Sequence, residues 1–143
     1  MASVPLSIRN RFAGTVTAVA VGEVMSTVKV RLATGQEVTA AITAEAVEDL
    51  GLAEGDDVQV LVKSTEVAVA TGSVEGISIR NRLPGVVATV DHGNVMTTVR
   101  ITLADDSVLT AAITRDGASE LALEPGTRVT ALIKSTEVSI AVP

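Results

Sequence analysis

The chain has no cysteine, tryptophan or tyrosine; Phe12 is its sole aromatic residue and His92 its sole histidine. Without cysteine there can be no disulfide, no thiolate metal site and no cysteine nucleophile, and the redox compartment is left open. No window approaches the roughly 18 uninterrupted apolar residues that a membrane-spanning helix needs. The opening "MASVPLSIRNRF" lacks the basic segment and apolar run of a secretory leader. A soluble, cytoplasmic protein with no membrane partner is therefore expected. Positive charge is also scarce: the net charge is −6, which repels nucleic acid and anionic membranes at long range. Paired carboxylates, a Ser-His-Asp arrangement, a P-loop and a Gly-rich dinucleotide motif are all missing, so nothing in the chain demands catalysis. No enzyme, no cofactor and no bound metal ion are expected.

What the 143 residues do contain is a core of aliphatic side chains, 47% of the sequence being hydrophobic, nearly all of it Val, Ala, Leu and Ile. Such a core favours β-branched strand packing. The chain also contains itself twice. Sliding it by 71 residues aligns 6–72 with 77–143 without a gap, and nearly half of the aligned pairs are identical. This is a tandem duplication. The units are expected at 1–71 and 77–143, joined by a linker at 72–76 within "VATGSVEG", where Gly72, Ser73 and Gly76 give a flexible join.

Within each unit the hydrophobic period is two. "STVKVRL" sets Val28, Val30 and Leu32 against Thr27, Lys29 and Arg31, and "TTVRITL" repeats the pattern, as half-buried strands do. "GTVTAVAVG", "EVTAAIT", "DVQVLVK" and the short closing "TEVAVA" bring the number to five. "TAEAVEDLGL" alone reads as helix, with Thr43 capping its start and Gly51 ending it. The order predicts an all-β chain of two tandem OB-like five-stranded Greek-key barrels, each with one short helix between its third and fourth strands. Leu61 and Leu132 share a strand face with Lys63 and Lys134; burial of that face against another copy, in a homo-oligomer, would account for the pattern.

Duplication of a fold explains the matched core residues and turn glycines, such as Gly14/Gly85 and Val28/Val99. It does not explain the matched polar strings. Ser7-Ile8-Arg9-Asn10-Arg11 returns as Ser78-Ile79-Arg80-Asn81-Arg82, Ala40-Ala41-Ile42-Thr43 as Ala111-Ala112-Ile113-Thr114, and Lys63-Ser64-Thr65-Glu66-Val67 as Lys134-Ser135-Thr136-Glu137-Val138. Ser, Arg, Asn, Lys and Thr all donate hydrogen bonds, and the Arg and Lys among them are cationic. Main-chain N–H groups after Thr43 and Thr114 add further donors. A fully deprotonated tetrahedral dianion suits such a donor-only site, whereas phosphate, partly protonated near neutrality, asks for an acceptor too.

The other matched or unusual residues read more plainly. His92, opposite Val21 in the alignment, is expected to be a solvated turn residue. Met25 and Met96 start strands and are expected to pack. Glu66 and Glu137 are expected to pair structurally, with Arg11 and Arg82.

The three strings also carry a family resemblance. "SIRNR" is similar to the Ser-x-Arg-Asn motif of the molbindin, or Mop (TOBE), domains, and "AAIT" before a short helix with "LGL", then "KSTEV", follows the same order across both units. The resemblance implies a di-Mop molbindin: OB-like barrels that bind molybdate, and often tungstate, as oxyanions at interfaces between barrels, for storage or buffering in the cytoplasm. Two-unit members of that family are trimers. Carried over, the resemblance implies one class of site from Ser7, Arg9 and Asn10 with Lys63 and Ser64 of a neighbouring barrel and the main chain around Thr43. Its copies are Ser78, Arg80, Asn81, Lys134, Ser135 and Thr114. The family often has serine three residues beyond the "IT" threonine; here Ala46 and Gly117 stand instead, leaving only main-chain N–H groups to replace that hydroxyl. Two other readings stay open. One is a stand-alone regulatory module that senses an oxyanion. The other is a single-stranded nucleic-acid module, which lack of aromatics and negative charge disfavour.

Overall fold

The structure, a computed structural model, describes residues 5–143; the first four residues of the expected first unit lie outside it. The first repeat forms β1 (Asn10–Val21), β2 (Met25–Leu32), β3 (Glu37–Thr43), α1 (Ala44–Leu50), β4 (Asp57–Val62), a 3-10 turn at Ser64–Glu66 and β5 (Ala68–Ala70). The second forms β6 (Asn81–His92), β7 (Met96–Thr102), β8 (Val108–Thr114), α2 (Arg115–Glu120), β9 (Arg128–Ile133), a 3-10 turn at Ser135–Glu137 and β10 (Ser139–Ala141). Strand alternation is clean: in β2, Ser26, Val28, Val30 and Leu32 are buried while Met25, Thr27, Lys29 and Arg31 face solvent.

All pairings are antiparallel, in two five-stranded sheets of order β10-β4-β1-β2-β3 and β5-β9-β6-β7-β8. The fold is the all-β, OB-like pair that the strand pattern predicts, with one difference. Each repeat gives its last strand to the other. β10 pairs with β4 through Ser139↔Leu61, Ile140↔Val60 and Ala141↔Gln59, and β5 pairs with β9 through Ala68↔Leu132, Val69↔Ala131 and Ala70↔Thr130. The repeat limits thus mark units of sequence, while each sheet is completed by a strand from beyond them.

This exchange corrects the sequence-based account of Leu61 and Leu132. Both are buried within one chain, 3% and 5% exposed, where they lie opposite the exchanged strands. No second copy is needed to cover them. Buried side chains from both repeats form one continuous cluster, running from Phe12, Val16, Val28 and Val60 to Leu83, Val99, Leu109 and Ile133. Two thin barrels therefore share a core larger than either repeat could enclose, which offsets the high surface-to-volume ratio of a seventy-residue unit.

The long first strand of each repeat serves both sides of its barrel. β1 pairs with β4 over Asn10–Thr15 and with β2 over Gly14–Val21, shifting register between Val16 and Ala18, where a bulge bends the strand. Gly14 sits at the closest approach: a Cβ there would lie 2.5 Å from Val30 Cγ1 and 2.8 Å from Arg31 O, and Gly85 repeats the constraint against Ile101 Cγ2 and Thr102 O.

A second pair of contacts joins the repeats. β3 and β8 are the outer strands of their sheets, and each is met by an asparagine from the other repeat. Asn10 Nδ2 donates to Thr110 O at 2.8 Å while its Oδ1 accepts from Thr110 N at 2.9 Å. Asn81 Nδ2 donates to Thr39 O at 2.8 Å and its Oδ1 accepts from Thr39 N at 2.8 Å. Both asparagines are buried, 2% and 1% exposed. A planar amide presents one donor and one acceptor side by side, as a peptide group does. Each asparagine thereby supplies a sheet edge with one rung of ladder, at about 1 kcal/mol net per hydrogen bond.

The helices start as expected, Thr43 Oγ1 accepting from Ala46 N and Thr114 Oγ1 from Gly117 N, both at 3.1 Å. They end differently. Gly51 closes α1 in the left-handed region, φ 62°, whereas Ala122 holds φ 51° at the matching position. Left-handed backbone costs a Cβ-bearing residue about 1–2 kcal/mol, partly offset by the lower chain entropy of alanine in the unfolded state. Ala122→Gly should therefore raise unfolding free energy by about 0.5–1 kcal/mol and Gly51→Ala should lower it by a similar amount, read as shifts of the urea midpoint at unchanged slope.

Candidate functional site

Arg9 and Lys63 immediately flank Asn10 and Val62, the last paired residues at one end of the β1–β4 ladder. The turn Ser64–Glu66 that follows Lys63 packs against β8 of the other repeat, the strand that Asn10 holds at Thr110. A seam results. One wall carries Arg9, Asn10, Lys63 and Ser64; the other is the edge of β8 from Thr110 to Thr114. The second seam repeats it, with Arg80, Asn81, Lys134 and Ser135 facing Thr39–Thr43 of β3.

Within one chain this grouping differs from the combination that the family resemblance implies. Lys63 and Ser64 are neighbours of Asn10 on the same sheet, and the strand end opposite them belongs to Thr114; Thr43 faces the Arg80 and Lys134 seam. The strand exchange is the reason, since it lays each repeat's closing segment across the other.

The two arginines of "SIRNR" have different environments. Arg11 folds the preceding loop beneath it, donating from Nε to Ile8 O at 2.9 Å and from Nη2 to Leu6 O at 2.8 Å; Arg82 does the same with Ile79 O and Ile77 O. Arg82 thus engages carbonyl oxygens rather than Glu137. The curled loop leaves Ser7 and Arg9, and likewise Ser78 and Arg80, exposed. Among the described residues, Arg9, Arg80, Lys63 and Lys134 have no hydrogen-bond or ion-pair partner, and the salt bridge present is Arg100–Asp91 at 3.2 Å. Four unpaired cations therefore flank the two seams of a chain whose net charge is −6.

The edge strands add donors that the side chains did not reveal. In an antiparallel strand, alternate residues turn their N–H and C=O groups to the same side. Thr110 turns outward to Asn10, so Ala112 and Thr114 turn outward too; Arg115 N, of the opposite phase, donates inward to Val95 O at 2.8 Å. The Ala112 N–H, and by the same count the Ala41 N–H, faces the seam without a partner among the described residues. The matched string "AAIT" signalled these positions, but alanine has no side-chain chemistry to mark the role.

Other expectations change. Ala46 and Gly117 do not offer main-chain N–H groups in place of the serine hydroxyl, because Thr43 and Thr114 already occupy those N–H groups as helix caps. The capping threonines retain their own O–H as donors. His92 is exposed as expected but ends β6 instead of standing in the turn, with Nδ1 2.9 Å from Thr97 Oγ1 within its own hairpin; where Val21 replaces it, the buried Ser26 Oγ has no partner. Met25 and Met96 are not packed in the core: they are 47% and 43% exposed, beside Val24 and Val95, each 72% exposed. No group of three or more His, Cys, Asp or Glu capable of holding a metal occurs among the described residues, and none of the helices there is long and apolar enough to cross a membrane.

Two OB-like sheets locked by exchanged strands, with a donor-lined seam on each side, define a tandem binding module rather than a single pocket. The TOBE domain model matches residues 6–69 and 77–140, and the chain belongs to the TOBE family, in its tandem di-Mop form. It is 42% identical over 142 residues to the molybdenum-pterin-binding protein MopB of Rhodobacter capsulatus, covering 99% of this chain and 53% of that protein. It is 38% identical over 140 residues to the molybdenum transport protein ModE of Azotobacter vinelandii, covering 98% and 52%. The chain spans about half the length of these curated relatives. It also superposes on a molybdate-bound crystal structure of the cytoplasmic molybdate-binding protein ModG with a TM-score of 0.95 at 35% identity, covering 98% of this chain and all of that one.

The contrast within "SIRNR" is testable without ligand. Arg11→Ala should destabilise the protein by about 1.5–3 kcal/mol, the range for hydrogen bonds to a charged group, while Arg9→Ala and Lys63→Ala should each stay within about 0.5 kcal/mol of wild type. Thermal unfolding of the three variants checks the ranking.

Proposed function

We propose that the protein is a cytoplasmic oxyanion-binding protein that takes up molybdate, and tungstate beside it, at its two seams for storage or buffering. The observation that carries this reading is the donor set of each seam: unpaired cations and serine hydroxyls on one wall, and an unpaired main-chain N–H with a threonine hydroxyl on the other. The first seam is Ser7, Arg9, Lys63, Ser64 and Thr114 with Ala112 N–H; the second is Ser78, Arg80, Lys134, Ser135 and Thr43 with Ala41 N–H. Asn10 and Asn81 belong to the same clusters, with their amide oxygens engaged by Thr110 and Thr39. A dianion that carries no proton satisfies all these groups at once, and charge-assisted hydrogen bonds from guanidinium and ammonium hold it most strongly. The likeness to ModG supports the choice of anion.

No residue of the seams is arranged as a nucleophile with a base, so binding, not turnover, is the activity proposed. A second reading, a sensing module for a regulator, draws on the ModE relatives, of which this chain spans about half. Both readings share the seams and the ligand.

The protein is proposed to work as a homo-oligomer, a trimer. Support comes from the matched hairpin ends, where Val21, Val24, Met25, Val95 and Met96 are 43–72% exposed; repeated apolar clusters of this kind mark interaction surfaces.

Calorimetric titration should find molybdate and tungstate bound more tightly than sulfate, with phosphate hardly bound. Arg9→Ala and Arg80→Ala should each remove part of the bound molybdenum, and the double variant most of it, with the apo melting temperature unchanged. Equal affinity for all four anions would reduce the seams to a generic basic patch. Separately, sedimentation at micromolar concentration should show an assembly rather than a monomer, and Val24→Asp with Val95→Asp should weaken it.

A further inference from the structure

We infer that Asn10 and Asn81 are positioning residues, which set the width and the phase of the two seams instead of serving as ligand donors. The inference rests on the oxyanion reading of the seams and assigns these two residues a different part in it.

Each amide makes two hydrogen bonds to the two main-chain groups of a single residue, Thr110 or Thr39, at 2.8–2.9 Å. A one-point contact would leave the edge strand free to pivot. A two-point contact fixes both its distance and its orientation. The same contact fixes phase: the next outward N–H lies two residues on, at Ala112 or Ala41, roughly 7 Å along the strand. A slip of one residue would turn that N–H into the sheet and move the side chains of the edge strand, Thr114 or Thr43 included, to its other face. On the opposite wall Asn10 is itself anchored by its pairing with Val62, between Arg9 and Lys63. One buried side chain therefore connects the cations of one repeat to the free N–H of the other. With Oδ1 and one amide hydrogen engaged, and 2% exposure, the side chain is turned to the strand. Asparagine suits this part where aspartate, which cannot donate, and serine, which cannot span both groups, do not.

The test uses the full chain with molybdate in single-seam backgrounds. In Arg80→Ala, where the first seam binds, Asn10→Leu should raise the dissociation constant about tenfold, 1.4 kcal/mol; in Arg9→Ala, where the second seam binds, the same substitution should have a much smaller effect. Equal weakening in both backgrounds, or none in either, would overturn the assignment. If Asn10→Leu fails to fold, amide NMR of the wild type decides. On adding molybdate, the Ala112 and Ala41 N–H resonances should shift and gain protection from exchange, while Thr110, Thr39 and the Asn10 and Asn81 side-chain amides should move little. Large shifts of the side-chain amides would make them ligand donors and overturn the inference. Absence of molybdate binding by the wild type would overturn the oxyanion reading together with the positioning role; retained wild-type binding with insensitive Asn10 would overturn the positioning role alone.

Discussion

An unpaired strand edge is the constraint on which the rest of this structure depends. Each repeat encodes five strands, but its fifth is three residues long and sits past a 3-10 turn that carries it onto the other repeat. Main-chain groups left open at a sheet edge invite pairing with whatever strand is near. Here the nearest partner is the same chain's other half, and the reciprocal exchange converts two small sheets into one body with a common core. The asparagine rungs at Thr39 and Thr110 close part of what the exchange leaves open at β3 and β8.

The seams follow from this arrangement. Because the closing segment of one repeat crosses to the other, Lys63 and Ser64 are carried against β8, and Lys134 and Ser135 against β3. Each seam keeps the two cations of one repeat together, Arg9 with Lys63 or Arg80 with Lys134, in a chain whose net charge is −6. Among the described residues no opposite charge pairs with them, and that separation leaves Arg9, Arg80, Lys63 and Lys134 unpartnered, as the proposed anion sites require. The arginines just beyond, Arg11 and Arg82, show the contrasting use of the same side chain, with Nε and Nη2 on loop carbonyls. An unpartnered arginine and one that folds its loop thus stand two residues apart in one string.

Duplication has not kept the halves identical. The second repeat fastens its hairpin through His92 and Thr97, Asp91 and Arg100, and Arg115 Nη1 on Gly93 O; the first has Val21, Ala20 and Ala44 at the matching places and leaves Ser26 Oγ unpartnered. The second repeat also tolerates Ala122 in left-handed backbone where the first uses Gly51. One of them, Arg115 in place of Ala44, directly follows the seam threonine, but the residue types of the seam donors themselves match pair for pair.

Much was legible in the sequence, for a local reason. The period of two marked the strands, Thr43 and Gly51 marked the ends of a helix, and the offset of 71 exposed the duplication, because each signal lies within a few residues or repeats identically. The matched strings also marked the donor-bearing segments that the fold brings to the two seams. What only the tertiary structure decided was partnership. The two fifth strands, Ala-Val-Ala and Ser-Ile-Ala, match in pattern and can close their own sheet or the other one with the same hydrogen bonds, so nothing along the chain distinguishes the two, and with that choice went the burial of Leu61 and Leu132 and the packing of the Ser64–Glu66 turn against β8. Main-chain donors such as Ala112 N–H carry no side-chain mark at all. Asn10 reads in one dimension as one more donor beside Arg9; its two bonds to Thr110, a hundred residues away in sequence, exist only once the repeats have been folded together.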